Sequence, residues 1–298
     1  MRLKHFLAFL FALFALAPAS AAPSSTPSVI HAHPALWHVK GPKGEAYLFG
    51  SIHLLPKNLD WRTKQVDAAI KRADVFVFEV STDSKAQAEI RELIAKEGML
   101  APGQSLRAML APASQTDYDA ALAKAKLSPE NMDREKPWLA SLQLLIAEGT
   151  AKHYSADAGV DNAVMAIAAG RHKPSRYFET IEQQFSLLAG STDKLQLSEF
   201  ESDLKDFGQS DDDLGAMVDA WKNGQEDRLA GLMNADLADD PDMKKALLTD
   251  RNHNWVGQIE TMLAEKRTFF ITVGAGHLAG SDGVPAMLRA TGYRVDGP

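Results

Sequence analysis

The sequence predicts an α/β fold with a central, mostly parallel sheet, surrounding helices and a large helical insertion. Apolar runs bounded by charge or glycine lie near both ends of the chain, as expected of strands that are buried on both faces. Segments with helical spacing of apolar residues follow these runs. Between them, residues 84–170 have an almost wholly helical pattern. Strands and helices that alternate around a helical middle are typical of an α/β sheet with an insertion.

The N-terminal elements follow from local patterns. Leu36–Val39 and Glu45–Phe49 flank a Gly-Pro turn and predict a hairpin. Helical spacing predicts a helix over 60–73, and the apolar run Val75–Phe78 predicts a buried strand. Within the insertion, Pro137 begins a strongly apolar helix, because proline suits the first turn of a helix.

The C-terminal half continues the alternation. Short apolar runs predict strands over 177–178 and 268–273 and an edge strand over 293–295. Helical spacing predicts helices over 181–188 and 284–291, two acidic helices within 198–232, and a helix that begins at Asp240-Pro241.

The composition bounds the function. The 298 residues are 45% hydrophobic and 24% charged, which is typical of a globular protein, and the formal net charge is −7. Without a basic stripe to offset this charge, nucleic acid is not expected as a partner. The absence of cysteine excludes disulfides, thiolate metal sites and cysteine nucleophiles, so a metal ion would need His, Asp or Glu ligands.

Residues 1–21 have the pattern of a cleaved export signal. Arg2 and Lys4 precede a short apolar run and a stretch of small residues. The run is too short to span a bilayer comfortably, so we expect a periplasmic or secreted protein without stable membrane insertion after cleavage. Residues 22–34, rich in Pro and Ser, predict a flexible tether, and residues 35–298 predict a single domain.

One motif occurs at the ends of two predicted strands. Gly50-Ser51-Ile52-His53 follows the first, and Gly274-Ala275-Gly276-His277 follows the second. Because ligands of α/β sheets bind beyond the carboxyl ends of the strands, His53 and His277 are candidate functional residues. A single strand-end histidine is more often structural, but two copies in the same context favour function.

Glu79 ends the strand Val75–Phe78 in the same way. A carboxylate at the mouth of a buried strand is costly unless a partner compensates it. One interpretation is a salt bridge to an Arg or Lys. The other is a set with His53 and His277, which suits either a divalent cation with open coordination positions or a metal-free acid–base site.

The combination of motifs resembles the TraB/GumN family, which is related to the Tiki metalloproteases. The resemblance runs from about Trp37 to Tyr293. It rests on GSIHLLP (50–56), FVFEV (76–80) and VGAGHLAG (273–280), with further matches at Lys136-Pro137-Trp138, Gly159-Val160-Asp161, the segment 179–184, Arg251-Asn252 and Trp255.

The resemblance implies a shared fold and, for the Tiki branch, metal-dependent peptide cleavage. On that basis His53, Glu79 and His277 are expected to be metal ligands or catalytic residues. Arg251 and Asn252 would line the same pocket, and the planar fork of Arg251 would suit a substrate carboxylate or Glu79.

Two further carboxylates are candidates. Asp161 is a possible substrate-binding residue, with the alternative that it caps a helix from Asn162 to Ala169. Glu179 precedes a predicted helix, where acids are favoured whatever the function. If Glu79 is a metal ligand, Glu179 becomes the candidate general base.

The first functional hypothesis is an exported metal-dependent hydrolase that acts on a peptide or amide bond. An Mn, Co, Zn or Fe ion would polarise the carbonyl and lower the pKa of a bound water, while a glutamate handles the proton. The alternative is a non-enzymatic periplasmic protein that binds iron, haem or a small ligand in the same pocket. A weaker option is a regulatory partner protein whose site has lapsed. The chain has no H-E-x-x-H, G-x-S-x-G or P-loop motif.

Overall fold

The computed structural model describes residues 28–207, 213–237 and 240–298. Its strands are β1 (Ile30–His31), β2 (Leu36–Lys40), β3 (Glu45–Ser51), β4 (Leu55–Pro56), β5 (Leu59–Asp60), β6 (Val75–Phe78), β7 (Tyr154–Ser155), β8 (Ser175–Tyr177), β9 (Thr268–Gly274) and β10 (Arg294–Asp296). Six of them form the central sheet in the order β10-β2-β3-β9-β6-β8. The pairs β3–β9, β9–β6 and β6–β8 are parallel, and the other two are antiparallel. The predicted α/β class with a mostly parallel sheet is confirmed.

The described α-helices surround this sheet. They are α1 (Lys64–Arg72), α2 (Ser84–Glu97), α3 (Leu106–Met109), α4 (Pro112–Ala125), α5 (Pro129–Met132), α6 (Pro137–Ala151), α7 (Val160–Gly170), α8 (Ile181–Ala189), α9 (Asp193–Asp206), α10 (Asp213–Lys222), α11 (Glu226–Leu237), α12 (Pro241–Lys244), α13 (Asp250–Leu263) and α14 (Val284–Ala290). Short 3₁₀ turns cover Ala156–Ala158 and Ala275–His277, and a π-helix covers Lys245–Thr249.

The sheet is buried on both faces. Successive side chains of a strand point to opposite faces, so Phe49 and Phe270 pack in one apolar cluster while Leu48 and Ile271 pack in another. The second cluster also holds α13 and α14 through residues such as Leu263 and Leu288. A third apolar cluster lies between the helical insertion and α9.

The segment preceding β2 differs from the sequence expectation. Residues 22–34 were expected to form a flexible tether, but Ile30–His31 pairs with Leu59–Asp60 and the Ala32 side chain is buried. The His33 N–H also donates to the Lys222 carbonyl at 2.6 Å. The described end of the tether is therefore packed on the domain, because its backbone completes a two-stranded sheet. The expected export signal and residues 22–27 lie outside the described residues.

Several predicted boundaries shift for local reasons. The helix expected over 60–73 begins at Lys64, since β5 uses Asp60 and the Thr63 hydroxyl caps the helix by accepting from the Val66 N–H. Three helices, α9 to α11, overlap the stretch 198–232 where two were expected. The helix at Asp240-Pro241 is confirmed, with Asp240 as its N-cap.

No helix among the residues described is both long enough and apolar enough to cross a membrane.

The sheet topology brings the candidate residues to one edge. Strands β3, β9 and β6 lie side by side and run parallel, with Ser51 paired to Gly274 and Phe78 paired to Thr272. Their carboxyl ends therefore coincide, and the segments that follow them carry His53, Glu79 and His277 to the same edge.

Candidate functional site

His53 and Asp161 form a buried hydrogen-bonded pair. The Nδ1 atom of His53 contacts the Asp161 Oδ2 atom, and both side chains are buried. A carboxylate at Nδ1 accepts the ring proton and makes Nε2 the basic nitrogen of the neutral imidazole. The pair therefore has the arrangement of a general base with an orienting carboxylate.

Gly159 allows this pair to form. A Cβ atom at Gly159 would overlap the backbone carbonyl of His53. The Val160 N–H donates to the Ile52 carbonyl at 3.1 Å, so the start of α7 lies directly against the loop after β3. Since α7 begins at Val160 with Gly159 at the N-cap position, the helix-cap interpretation of Asp161 is wrong. The Asp161 carboxylate turns to His53 instead.

Arg251 is the centre of a second group. Its Nε and Nη2 donate to Glu179 at 2.7 and 2.9 Å, and Nη2 also donates to Glu79 Oε2 at 2.7 Å. Its Nη1 donates to the Leu247 carbonyl at 3.1 Å and to His277 Nε2 at 2.9 Å. A guanidinium has five N–H donors, so the hydrogen-bonding capacity of Arg251 is fully used.

Glu79 is held by donors on both carboxylate oxygens. The Gly274 N–H donates to Oε1 at 2.7 Å, and Gln184 donates to Oε2 at 2.9 Å beside the Arg251 bond. Burial raises the pKa of Glu79, while the Arg251 charge opposes the rise. The salt-bridge interpretation of Glu79 is therefore the one the structure bears out, with Arg251 as the partner.

His277 is a neutral acceptor in this group. Its Nδ1 lies 2.6 Å from the Asn252 amide oxygen and donates to it, so Nε2 carries the lone pair that accepts from Arg251. Burial holds the pKa of His277 well below its usual range, and the Arg251 charge adds to that effect. Geometry and electrostatics agree that His277 is uncharged at neutral pH.

The Trp255 ring packs against Arg251 and His277, a role that the sequence analysis did not assign to it. The Arg251 guanidinium lies 4.8 Å from the centroid of the Trp255 ring, and the His277 ring lies 4.3 Å from it. The Trp255 Nε1–H donates to Glu179 Oε1 at 3.0 Å. The spacing of Arg251 and Trp255 signals this role, since residues four apart share one face of a helix.

The predicted residues thus fall into two groups. The first is the pair His53 and Asp161. The second is the Arg251 cluster, which we define as Glu79, Glu179, Arg251, Asn252 and His277. The two groups interact through charge, because His53 lowers the pKa of both Glu79 and His277. Gln184, which lies in the matched segment 179–184 but was given no role there, donates to both Glu79 and Glu179.

The cluster is covered by the segment that precedes α13. The π-helix Lys245–Thr249 presents the Leu247 carbonyl to Arg251, and the Met233 side chain of α11 fills the space over Gly276. A cavity of about 20 Å³ beside Asn252 and Gly276 is just large enough for one water molecule.

The hydrogen bonds of these residues leave no room for the divalent metal that the family resemblance implies. Both oxygens of Glu79 and both ring nitrogens of His277 already have hydrogen-bond partners. Arg251, a permanent cation, lies within 2.9 Å of each side chain and would repel a dication. Within residues 28–207, 213–237 and 240–298, no three His, Asp or Glu side chains converge as ligands. This arrangement does not fit a metal on His53, Glu79 and His277, and metal binding stays a prediction.

Comparison with known proteins gives one family and two relatives. A model of the TraB/PrgY/gumN family matches residues 35–297. The chain is 25% identical to the uncharacterized protein YbaP of Shigella flexneri over 256 residues, which are 82% of this chain and 88% of that protein. It is also 25% identical to YbaP of Escherichia coli K12 over 255 residues, 82% and 87% of the two chains. No solved structure gives a significant match.

Proposed function

We propose that this chain, which belongs to the TraB/PrgY/gumN family, is an exported hydrolase that cleaves a peptide or amide bond by acid–base catalysis. The observation that carries the proposal is the buried His53–Asp161 hydrogen bond beside the Arg251 cluster. It supplies an oriented base at the edge of the sheet where α/β proteins bind ligands.

His53 is the proposed base and acid. Its Nε2 takes a proton from water as the water oxygen attacks the substrate carbonyl carbon. When the C–N bond breaks, the imidazolium gives that proton to the leaving nitrogen, so one side chain both accepts and donates the proton. Asp161 keeps the ring in the required tautomer and stabilises the imidazolium.

The Arg251 cluster supports this role through its charge. The cluster holds two carboxyl groups, Glu79 and Glu179, and a single permanent cation, Arg251. His53 lies close enough for its charge to lower the pKa of the Glu79 carboxyl group, so the pair and the cluster are electrostatically coupled. In this proposal the cluster influences His53 through its charges and does not contact the bond that is cleaved.

The metal-dependent mechanism requires a different arrangement of the same residues. Glu79 and His277 would have to release Arg251 before either could bind Mn, Co, Zn or Fe. The Leu247 carbonyl of the π-helix also accepts a hydrogen bond from Arg251 and so helps to hold the guanidinium against both side chains.

The test is an activity screen of the exported chain on quenched fluorescent peptides, with products identified by mass spectrometry. We expect cleavage in the presence of a chelator, its loss in His53→Gln, and its retention in His253→Gln, a change of an exposed histidine on α13. Cleavage that requires added metal would overturn the acid–base mechanism in favour of metal catalysis. No cleavage of any peptide, together with iron, haem or a small molecule that copurifies, would favour the binding-protein alternative.

A further inference from the structure

A second cavity lies in the helical insertion. It has a volume of about 400 Å³, and Met99, Leu127, Met132, Arg134, Glu135 and Gln143 are among its lining residues. None of its lining residues belongs to the His53–Asp161 pair or the Arg251 cluster. The volume falls within the range of small-molecule sites.

Glu135 places a buried carboxyl group in this cavity. The residue is only 8% exposed, and its Oε2 atom has no hydrogen-bond partner among the residues that the structure describes. Its Oε1 receives a long hydrogen bond of 3.5 Å from Gln143 Nε2. Burial raises the pKa of Glu135 to about 7, and a ligand that supplies a donor to Oε2 would relieve the cost of the unpaired acceptor.

The backbone fixes Glu135 in this position. Met99 and Glu135 form an isolated antiparallel bridge, and the Glu135 N–H donates to the Met132 carbonyl at 3.1 Å. The Lys136 N–H donates to the Gly98 carbonyl at 2.8 Å. The carboxyl group is therefore presented by a paired segment, on which a site can be held in a defined geometry.

The other lining residues are of three kinds: apolar (Met99, Leu127 and Met132), polar and uncharged (Ser128, Asn131 and Gln143) and cationic (Arg134). Met99, Leu127 and Met132 supply thioether and aliphatic surface. Arg134 lines the same cavity and is exposed. A cavity with a buried acid, apolar lining residues and an exposed guanidinium matches a small molecule that carries an ammonium group, an apolar body and a carboxylate.

We propose that this cavity binds a free amino acid with an apolar side chain. The ammonium group donates to Glu135 Oε2, the carboxylate pairs with the Arg134 guanidinium, and the side chain packs on Met99 and Met132. The site is independent of the proposed hydrolysis, because it shares no residue with it.

The experiment titrates the whole exported chain with L-leucine, by calorimetry and by thermal unfolding. We expect saturable binding that N-acetyl-L-leucine, which lacks the ammonium group, does not reproduce. Glu135→Gln should weaken L-leucine binding about tenfold or more, since a charge-assisted hydrogen bond is lost. Glu130→Gln, a change of an exposed residue on the neighbouring helix α5, should leave binding unchanged.

A second variant keeps the test decisive if Glu135→Gln fails to fold. Arg134→Gln changes an exposed side chain and should weaken L-leucine binding, but not the binding of isopentylamine, which has no carboxylate. Equal binding of L-leucine and N-acetyl-L-leucine would overturn the proposal. So would undetectable L-leucine binding, or unaltered affinity in Glu135→Gln.

Discussion

Arg251 donates from Nη1 to Nε2 of His277 at 2.9 Å. This bond distinguishes the hydrogen bonding of His277, the second histidine of the repeated motif, from that of His53, the first. His277 receives a proton donor on Nε2 from a residue that is always cationic, whereas His53 has a carboxylate on Nδ1. Two histidines in the same sequence context therefore have hydrogen-bond partners of opposite charge, a guanidinium at Nε2 of His277 and a carboxylate at Nδ1 of His53.

The first prediction concerns the Arg251 cluster as a source of stability. Arg251→Met leaves Glu79 and Glu179 buried without their cationic partner, and we expect a loss of about 3–5 kcal/mol in the free energy of unfolding. Urea denaturation followed by circular dichroism measures it. Arg62→Met removes an exposed ion pair with Asp67 and should cost less than about 1 kcal/mol. Equal losses in the two variants would show that the buried arginine has no special role.

The second prediction concerns the protonation of His277. Since its folded pKa lies well below 6.5, the side chain should be neutral at pH 6 with the proton on Nδ1. Nitrogen NMR of the imidazoles measures the tautomer directly. In the unfolded chain the same group takes up a proton near pH 6.5, so its contribution to stability is present above that pH and is lost as the pH falls. An imidazolium signal from His277 at pH 6 would contradict this assignment.

The third prediction separates orientation from structure at Asp161. Asp161→Asn removes the negative charge that orients and stabilises the His53 imidazolium, and we expect peptide cleavage to fall about 10²–10⁴-fold. Asp157→Asn alters an exposed carboxylate on the adjacent 3₁₀ turn and serves as the matched control. A comparable loss of cleavage in both variants would remove Asp161 from the mechanism. Thermal unfolding of each variant shows whether the fold is intact.

The fourth prediction tests the close approach at Gly159. Gly159→Ala forces the start of α7 away from the His53 backbone, and we expect a destabilisation of about 1–3 kcal/mol with a weakened His53–Asp161 bond. Gly170→Ala, at the other end of the same helix, adds a Cβ atom in open space and should be neutral or stabilising by up to about 1 kcal/mol. Urea denaturation of both variants makes the comparison. Full stability of Gly159→Ala would mean that the loop and helix are not in tight contact.

The fifth prediction is a pH dependence away from the candidate site. Burial, with Asp203 and Asp240 nearby, raises the pKa of Glu199 to about 7. A folded pKa above the unfolded value means that the stabilising contribution is complete below about pH 4.5 and is lost as the pH rises through 7. Glu199→Gln should therefore gain a few degrees of melting temperature over the unaltered chain between pH 5 and pH 8. Glu130→Gln, with an exposed side chain, should show no such gain, and identical pH profiles of all three proteins would refute the assignment.

The fold was largely predictable because its signals are local. The apolar run Val75–Phe78 and the hairpin around Gly41-Pro42 appear in the structure as expected. The packing of residues 30–34 was not predictable, since the partner of Ile30–His31 lies in residues 59–60 and backbone pairing of this kind leaves little trace in side-chain composition.

The placement of His53, Glu79 and His277 at one edge of the sheet was predictable, because it follows from the order and direction of the strands. Their functional roles stay a prediction, and their hydrogen-bond partners were not predictable. The sequence did not reveal that Arg251 would take up Glu79 and His277 together, because that depends on how α13 approaches the sheet edge. The direction of the Asp161 carboxylate depends on the contact between Gly159 and the loop after β3, which is also non-local.

The distances along the chain within the Arg251 cluster have a consequence for folding. Arg251 is separated from Glu79 by 172 residues, from Glu179 by 72 and from His277 by 26. Contacts of such long range form only after the loops between them have closed, whereas the helices of the insertion gain contacts from near neighbours. The cluster therefore belongs to the completed fold, and a chain interrupted before residue 251 would hold two buried acids without the cation that makes them tolerable.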